Sequence, residues 1–266
     1  MIGAIIGDIA GSPHATLRSI KTKNFELFAP ECRYTDDSVM SLAICEALMS
    51  CQGDYTNLGE HAVRCMQAIG LAHPFRGYGG KFRYWIISKN PQPYFSYGNG
   101  AGIRVSGCAY AGDTLAEVKE LSHKVTAVTH NHPEGLKGAE AVAVAVYLAR
   151  TGSSQSEIRE HINEHYYPLD FTLDSIRAEY FFDSSCQGSV PQAIESFLES
   201  TSYEDAIRNA ISLGGDSDTI AAMAGSIAEA YWGVPDALQE QALPFLDDQL
   251  RSILERFEVI WPGRRA

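Results

Sequence analysis

The chain has 266 residues, of which 45% are hydrophobic, and carries a formal net charge of −12. No Pro-, Ser- or Gly-rich linker divides it, so we expect a single domain over residues 1–266. The acidic balance argues against binding to a nucleic-acid backbone, which requires clustered Lys and Arg. It is compatible with a nucleotide-like small molecule, because bound cations can supply positive charge locally.

The cysteines and the first residues indicate a compartment. The six cysteines form no C-x-x-C pair and no Cys/His spacing typical of zinc sites. In a chain of this length they are typical of reduced, buried thiols rather than of a disulfide framework. The first residues lack the cationic start of a signal peptide, and Asp8 interrupts their apolar run. No stretch approaches the roughly 18 apolar residues of a membrane span, and we therefore expect a cytoplasmic protein.

The dominant hydrophobic period along the chain is that of α-helices. Apolar residues fall on one helical face after Met40, and again after Ile220 and after Leu246. Further helices are predicted at Leu58–Ile69, Ile103–Tyr110, Thr114–Ala127, Pro133–Arg150, Ser156–His161, Pro191–Leu198 and Tyr203–Ser212.

Local signals support this helical interpretation. Asn57, Asp113 and Ser202 precede three of these segments and are predicted as helix caps. The stretch Val142–Val146 alternates with the period of a strand, but its alanines and the upstream Pro133 favour a helix. Because no set of strand-like segments is separated by turn signals, we expect a mainly α-helical, compact multi-helix domain.

Two short stretches each combine aspartates, hydroxyl side chains and a following helix. They are Thr35-Asp36-Asp37-Ser38 and Gly214-Gly215-Asp216-Ser217-Asp218-Thr219. A single acidic helix start indicates no more than a cap that complements the helix dipole. Two such starts favour another interpretation, in which they converge and cations neutralise the four carboxylates.

The composition of these stretches restricts the kind of metal. Carboxylate and hydroxyl oxygens without Cys or His suit Mg²⁺, Mn²⁺ or Ca²⁺ rather than Zn²⁺ or Cu²⁺. With Thr35 and Thr219, the two pairs offer enough oxygens for two ions about 3.5–4 Å apart, as in two-metal hydrolases. Asp8 is a fifth candidate acid, and two interpretations stay open for it, a metal contact or a buried cap of a neighbouring loop.

The region from Ala72 to Gly102 is rich in Gly, Pro and aromatic residues and is typical of a ligand-binding wall. Within it, Ser96-Tyr97-Gly98-Asn99-Gly100 precedes Arg104 in a pattern that favours an anion such as a diphosphate. It is not a dinucleotide fingerprint, because no strand precedes it and its third glycine is missing. His130 and His132 have no third soft ligand, and we interpret them as hydrogen-bond donors or caps.

With these motifs the chain resembles the ADP-ribosylglycohydrolase family, which includes dinitrogenase-reductase-activating glycohydrolases and ADP-ribosyl-acceptor hydrolases. Five ordered motifs carry the resemblance: Gly7-Asp8-x-x-Gly11-Ser12, Tyr34-Thr35-Asp36-Asp37-Ser38, Ser96-Tyr97-Gly98-Asn99-Gly100 with Arg104, Thr129-His130-x-His132-Pro133, and Gly214-Gly215-Asp216-Ser217-Asp218-Thr219. The resemblance implies an all-α fold, a compact orthogonal bundle of many helices. It also implies a two-magnesium centre, with Mn²⁺ as the alternative ion.

The resemblance further implies roles for individual residues. The implied metal ligands are Thr35, Asp36, Asp37, Asp216, Asp218 and Thr219. The implied contacts to ADP-ribose are Ser96, Tyr97, Gly98, Asn99 and Gly100 at the diphosphate, Arg104 in the same motif, and His130 at the distal ribose. For hydrolysis at C1 of that ribose, we predict Asp36 or Asp218 as the general base that activates water.

The chain departs from the family pattern at one position. Many relatives carry a glutamate shortly after the Gly-Ser start, where this sequence has Ala15. Three functions follow as hypotheses. We favour a magnesium-dependent hydrolase that releases ADP-ribose from an arginine, a serine or a small acceptor. The alternatives are a non-catalytic ADP-ribose-binding module, which Ala15 motivates, and a metal hydrolase acting on a phosphate ester or diphosphate.

Overall fold

The computed structural model describes residues 1–15 and 19–263, and these residues form α-helices and no β-strand. The α-helices are α1 Ile2–Gly11, α2 Asp36–Ser50, α3 Leu58–Ala72, α4 Gly80–Ile87, α5 Ser106–Ala111, α6 Leu115–Ala127, α7 Pro133–Arg150, α8 Gln155–His165, α9 Leu173–Arg177, α10 Cys186–Leu198, α11 Tyr203–Ser212, α12 Ser217–Trp232, α13 Asp236–Ala242 and α14 Asp248–Ile260. The prediction of an all-α fold is confirmed. None of the described helices has the length and apolarity needed to cross a membrane.

Helix α12 lies at the centre of the bundle. It packs against α1, α7, α10 and α11, and its residues from Thr219 to Ala230 are all buried. A helix that is apolar on nearly every side is stable only in the interior. On the other side of the bundle, α2 packs against α3 and α14. The N-terminal ends of α2 and α12, which carry the two acid pairs, are therefore fixed by the best-packed helices of the protein.

Three glycines bring α1 into backbone contact with α12. Gly3, Gly7 and Gly11 recur every four residues and so share one face of α1. A Cβ atom added at Gly7 would lie 2.1 Å from the carbonyl oxygen of Ala221, and one added at Gly11 would lie 2.5 Å from the Cα of Asp218. This close approach brings the N-terminal end of α12 against the end of the helix that carries Asp8.

Replacement of Gly7 by alanine is expected to destabilise the protein strongly. The new methyl group cannot be accommodated by a side-chain rotation, because the atoms it meets belong to the α12 backbone. We expect a loss of about 3 kcal/mol in the free energy of unfolding, measured by urea denaturation. As a matched control, Gly59→Ala in α3 meets only ordinary contacts at 3.6 Å and should stabilise by about 0.5 kcal/mol. Equal effects of the two substitutions would contradict this account of α1 packing.

Several helix boundaries differ from the sequence predictions. The helix predicted at Ile103–Tyr110 begins only at Ser106, because a 3₁₀ turn at Asn99–Ala101 precedes it. The helix predicted to begin at Pro191 begins at Cys186, where the Ser185 side chain accepts a hydrogen bond from the amide of the third helical residue. Pro191 therefore lies inside α10 and removes one intrahelical hydrogen bond there.

The cap predictions had mixed outcomes. Ser202 caps α11 as predicted, whereas the cap of α6 is Thr114 rather than Asp113. Asn57 makes no side-chain cap bond at α3. Helix α4 lies within the region predicted as loop. It was not predicted as a helix because its two preceding glycines and its aromatic residues resemble those of the surrounding loop. The period-two stretch Val142–Val146 is helical within α7, as predicted.

Candidate active site

A cleft of about 660 Å³ opens at the N-terminal ends of α2 and α12. Its lining includes Thr35, Asp36, Asp37, Asp216, Asp218 and Thr219, together with residues of the Ser96–Gly100 loop. The two acidic helix starts therefore converge, as their composition predicted. The volume falls in the range of pockets that hold nucleotide-sized ligands.

The carboxylate of Asp8 caps the start of α2. It accepts hydrogen bonds from the Thr35 amide (2.9 Å), the Thr35 hydroxyl (2.6 Å), the Ser38 amide (3.1 Å) and the Ser38 hydroxyl. These four contacts show that Asp8 is a buried cap of the neighbouring segment, as one of its two interpretations predicted. The metal interpretation also stays open, because Asp8, Asp37 and Asp218 each offer a carboxylate oxygen, all within 4.8 Å of one another.

The start of α12 is shaped by two glycines and joined to α2. Gly214 and Gly215 have φ angles of +70° and +73°, which allow the tight bend before the helix. Asn99 donates its side-chain amide to Asp216 at 2.7 Å. The hydroxyl of Thr219 donates to Asp37 at 2.7 Å, which links the two helix starts directly.

Burial and mutual repulsion make the ionised cluster costly. Burial, and then the charge of Asp8, raise the pKa of Asp36 to about 7. Burial and the charge of Asp36 raise the pKa of Asp37 well above its usual value, and burial and Asp216 do the same for the pKa of Asp218. Such a cluster must bind protons or cations. Its ligand atoms are all oxygens, so the residues present fit a hard divalent ion.

Arg104 is a buried positive charge in the wall of the same cleft. Its side chain is 1% exposed and donates to the hydroxyl of Thr129 at 2.5 Å and to Nδ1 of His130 at 3.3 Å. None of its hydrogen-bond partners among the described residues is a carboxylate. Burial lowers the pKa of Arg104 to about 10. An uncompensated buried cation favours an anion in the adjoining cleft.

The contact with Arg104 assigns the proton of His130. A guanidinium only donates hydrogen bonds, so the Arg104 contact at 3.3 Å assigns Nδ1 of His130 as an acceptor and the ring proton to Nε2. The Thr129 hydroxyl, 2.7 Å from the same nitrogen, is consistent with this assignment when it donates. Burial, and then the charge of Arg104, hold the pKa of His130 well below its usual value. Nε2 faces the glycine loop, since a Cβ added at Gly98 would lie 3.6 Å from it. His130 therefore presents a neutral N–H donor to the cleft.

Removing the Arg104 charge is expected to raise the pKa of His130. In Arg104→Gln the coulombic repulsion is lost while the burial remains, so the pKa should rise but stay below that of an exposed histidine. NMR titration of the histidine ring signals measures this directly. Arg251→Gln, on the exposed surface of α14, serves as the control and should leave the His130 signal unchanged. An unchanged pKa in Arg104→Gln would contradict the assigned contact.

The Ser96–Gly100 loop is held from behind by the segment that leads into α10. The amide of Asn99 donates to the carbonyl of Ser184 at 2.8 Å, and the amide of Cys186 donates to the carbonyl of Tyr97 at 2.8 Å. Ser96, Gly98, Asn99 and Gly100 line the cleft. Tyr97 is placed differently: its side chain is 49% exposed, and its ring centroid lies 5.1 Å from that of His132.

The cleft lining also includes residues to which the sequence assigned no individual role. Arg76, Lys81 and Tyr94 lie in the Ala72–Gly102 region that was predicted as a ligand-binding wall, whereas Arg33 and Phe182 gave no signal. Ala15, where the chain departs from the family pattern, lines the cleft as well. The glycine-rich run Gly77-Tyr78-Gly79-Gly80, which directly follows Arg76, was the available sequence clue for that residue. Gly77 has a φ of +109°, and a Cβ there would lie 2.7 Å from a carboxylate oxygen of Asp36. The amide of Asp36 also donates to the carbonyl of Arg76 at 2.8 Å.

Fold and site together define a class of protein: an all-helical domain that gathers the acids of two helix starts beside a nucleotide-sized cleft. The chain belongs to the ADP-ribosylglycohydrolase family, whose sequence profile matches residues 1–264. The resemblance stated from the motifs is confirmed, and with it the assignment to a family of hydrolases.

Individual relatives agree with this family. The ADP-ribosylhydrolase ARH3 of Homo sapiens is 28% identical, over 90% of this chain and 87% of its own. The ADP-ribosylarginine hydrolase Tri1 of Pseudomonas putida (strain GB-1) is also 28% identical, over 88% of this chain and 70% of its own. A solved structure titled ADP-ribosylglycohydrolase-related protein complex superposes with a TM-score of 0.68 at 21% identity, covering 97% of this chain and 95% of that chain. The last comparison shows a shared fold.

Proposed function

We propose that this protein hydrolyses the bond at C1 of the distal ribose and releases ADP-ribose from an ADP-ribosylated acceptor. The observation that carries the proposal is the charge arrangement of the cleft. The lining of one cleft includes both the carboxylates of α2 and α12 and Arg104, which has no carboxylate among its hydrogen-bond partners in the described residues. ADP-ribose carries an anionic diphosphate, which matches the Arg104 charge, and a ribose diol, which matches a metal ion held by the carboxylates.

The metal-binding residues in this proposal are those of the two helix starts: Thr35, Asp36, Asp37, Asp216, Asp218 and Thr219. We propose two Mg²⁺ ions, with Mn²⁺ as the alternative. Bound divalent ions at such a site supply Lewis-acid polarisation and a template for oxygen ligands. The chain itself fixes the ligands: Thr219 holds Asp37, and Asn99 holds Asp216.

The remaining residues position the substrate. In the proposal the Ser96–Gly100 loop and Arg104 attract the diphosphate, and His130 donates its Nε2–H toward the distal ribose. Asp36 or Asp218 takes a proton from the attacking water, since both line the cleft and are partly exposed to solvent. Positive charge develops on the ribose as the acceptor leaves, which favours attack by the activated water at C1.

The acceptor is an ADP-ribosylated protein or small molecule, and the proposal includes a single domain over residues 1–266 acting in the cytoplasm. The Pseudomonas putida relative is named as an ADP-ribosylarginine hydrolase. ADP-ribosyl-arginine is therefore the first linkage to assay, followed by ADP-ribosyl-serine. The acidic net charge of −12 argues against a nucleic-acid backbone as partner.

The test is product analysis on ADP-ribosyl-arginine and ADP-ribosyl-serine, with Mg²⁺ and with EDTA. We expect intact ADP-ribose, released only with the metal present. Release of AMP or phosphate would instead indicate a metal hydrolase acting on a diphosphate or a phosphate ester. Calorimetric binding of ADP-ribose without turnover on any linkage would favour the binding module. Running Ala15→Glu beside the wild type tests whether the missing acid redirects the linkage preference, because Ala15 lines the cleft.

A further inference from the structure

A second cavity of about 460 Å³ lies beside the cleft, between the end of α3 and α4. Four of its lining residues are large, apolar and exposed: Leu71 at 55%, Phe75 at 88%, Tyr84 at 76% and Ile87 at 65%. Contiguous exposed apolar surface is rare on a monomer and marks a binding surface. We call this cavity the α3–α4 groove.

The groove is continuous with the candidate active site. Phe75 and Gly80 line both cavities. The loop from Phe75 to Gly80 is therefore the wall that separates the groove from the cleft. The same loop contacts the acid end of the cleft, because Gly77 lies against the Asp36 carboxylate. The groove therefore lies beside the loop that contacts the Asp36 carboxylate.

This placement relates the groove to one part of the substrate. In the proposed function the diphosphate lies toward Arg104 and C1 of the distal ribose lies at the carboxylates. The acceptor is attached at C1, so it extends from the acid end, where the Phe75–Gly80 loop forms the wall. A peptide rises about 3.3 Å per residue when extended, so a few residues suffice to cross this loop.

We propose that the α3–α4 groove binds a bulky apolar side chain of a protein acceptor, a few residues from the modified amino acid. This inference rests on the proposed function. No carboxylate lines the groove among the described residues, and Arg83 does. Arg76 and Lys81 line the adjoining cleft. The surface thus favours acceptor segments that are apolar and neutral or acidic over segments rich in Lys and Arg.

The experiment compares ADP-ribosylated peptides that carry one cleavable linkage and differ only in a leucine or a serine two to four residues away. With the wild type we expect kcat/KM to be about tenfold higher for the best leucine peptide than for its serine partner. Ile87→Ser and Tyr84→Ser should abolish this preference. Both variants should leave hydrolysis of the free ADP-ribosylated amino acid unchanged, because these side chains line only the groove.

Val259→Ser is the matched control, since Val259 is 83% exposed on α14 and lines neither cavity. It should keep the leucine preference. Equal kcat/KM for the leucine and serine peptides, or a preference that survives Ile87→Ser, would overturn the inference. A fall in native mass on Ile87→Ser, measured by light scattering, would also overturn it, because a second copy of the chain would then occupy the groove.

Failure of the proposed function is distinguishable from failure of this inference. If the wild type cleaves neither the peptides nor the free modified amino acid, the proposed function fails. Fluorescence anisotropy of the same peptides, carrying a fluorescent label, then measures their binding to the protein independently of turnover. Tighter binding of the leucine peptide that Ile87→Ser removes supports the groove assignment, and binding without a leucine preference overturns it.

Discussion

Asp218→Asn is expected to lower turnover by about a thousandfold or more, with little change in the helical content. The substitution keeps the shape of the side chain but removes one carboxylate oxygen from a cluster of acids within 4.8 Å of one another. Loss of a metal ligand or of the general base reduces rates on this scale. Steady-state release of ADP-ribose, measured across a range of Mg²⁺ concentrations, checks the result.

The matched control is Asp248→Asn, because Asp248 also lies in the first turn of a helix but is exposed and does not line the cleft. It should retain wild-type turnover. If Asp218→Asn keeps wild-type turnover, or if EDTA does not affect the wild type, the two-helix metal site does not carry the activity. Circular dichroism of each variant separates a lost site from a lost fold.

The metal-free protein is expected to become less stable as the pH rises from about 4 to about 7. Burial raises the pKa of Asp36 from 3.8 to about 7, so the folded state holds a proton that the unfolded chain releases. Such a group stabilises the fold below its unfolded pKa, and that contribution is lost as the pH rises through its folded pKa. The pKa values of Asp37 and Asp218 shift in the same direction.

Thermal unfolding in EDTA and in Mg²⁺ over this pH range measures the effect. Magnesium should remove the loss, because a bound cation neutralises the carboxylates and stabilises the folded state. In EDTA near neutral pH, Asp37→Asn should melt above the wild type, since it removes one repelling charge, but should gain less from Mg²⁺. A wild-type melting temperature in EDTA that rises with pH throughout would contradict the buried-acid account.

Much of the site was predictable because its signals are local. The two acidic helix starts each lie within a few residues, and their charges alone required that they be neutralised. The small residues of α12 are also a local signal, and they indicated a helix in the interior of the protein. What could not be predicted are contacts between distant residues, such as the bond of Asp8 to Thr35 across 27 residues or that of Asn99 to Asp216 across 117.

The α3–α4 groove shows why the rest escaped prediction. Its wall includes a helix in a region whose glycines and aromatic residues indicated only loop. Arg104 was predicted as a direct ligand contact from its motif. Its side chain is only 1% exposed and contacts His130, which lies between α6 and α7, 26 residues further along the chain. Neither feature leaves a periodic trace in the sequence.

The packing of α1 on α12 has a consequence for how the chain is made. The bond between Thr219 and Asp37 spans 182 residues, so a ribosome releases one half of the acid cluster long before the other. All ten residues of α1 are buried in the finished protein, yet the central helix that covers them is translated near the end. Non-local contacts of this kind form slowly and leave apolar surface exposed during synthesis. A nascent chain that stops before Asp216 thus presents an uncovered apolar helix to chaperones and proteases.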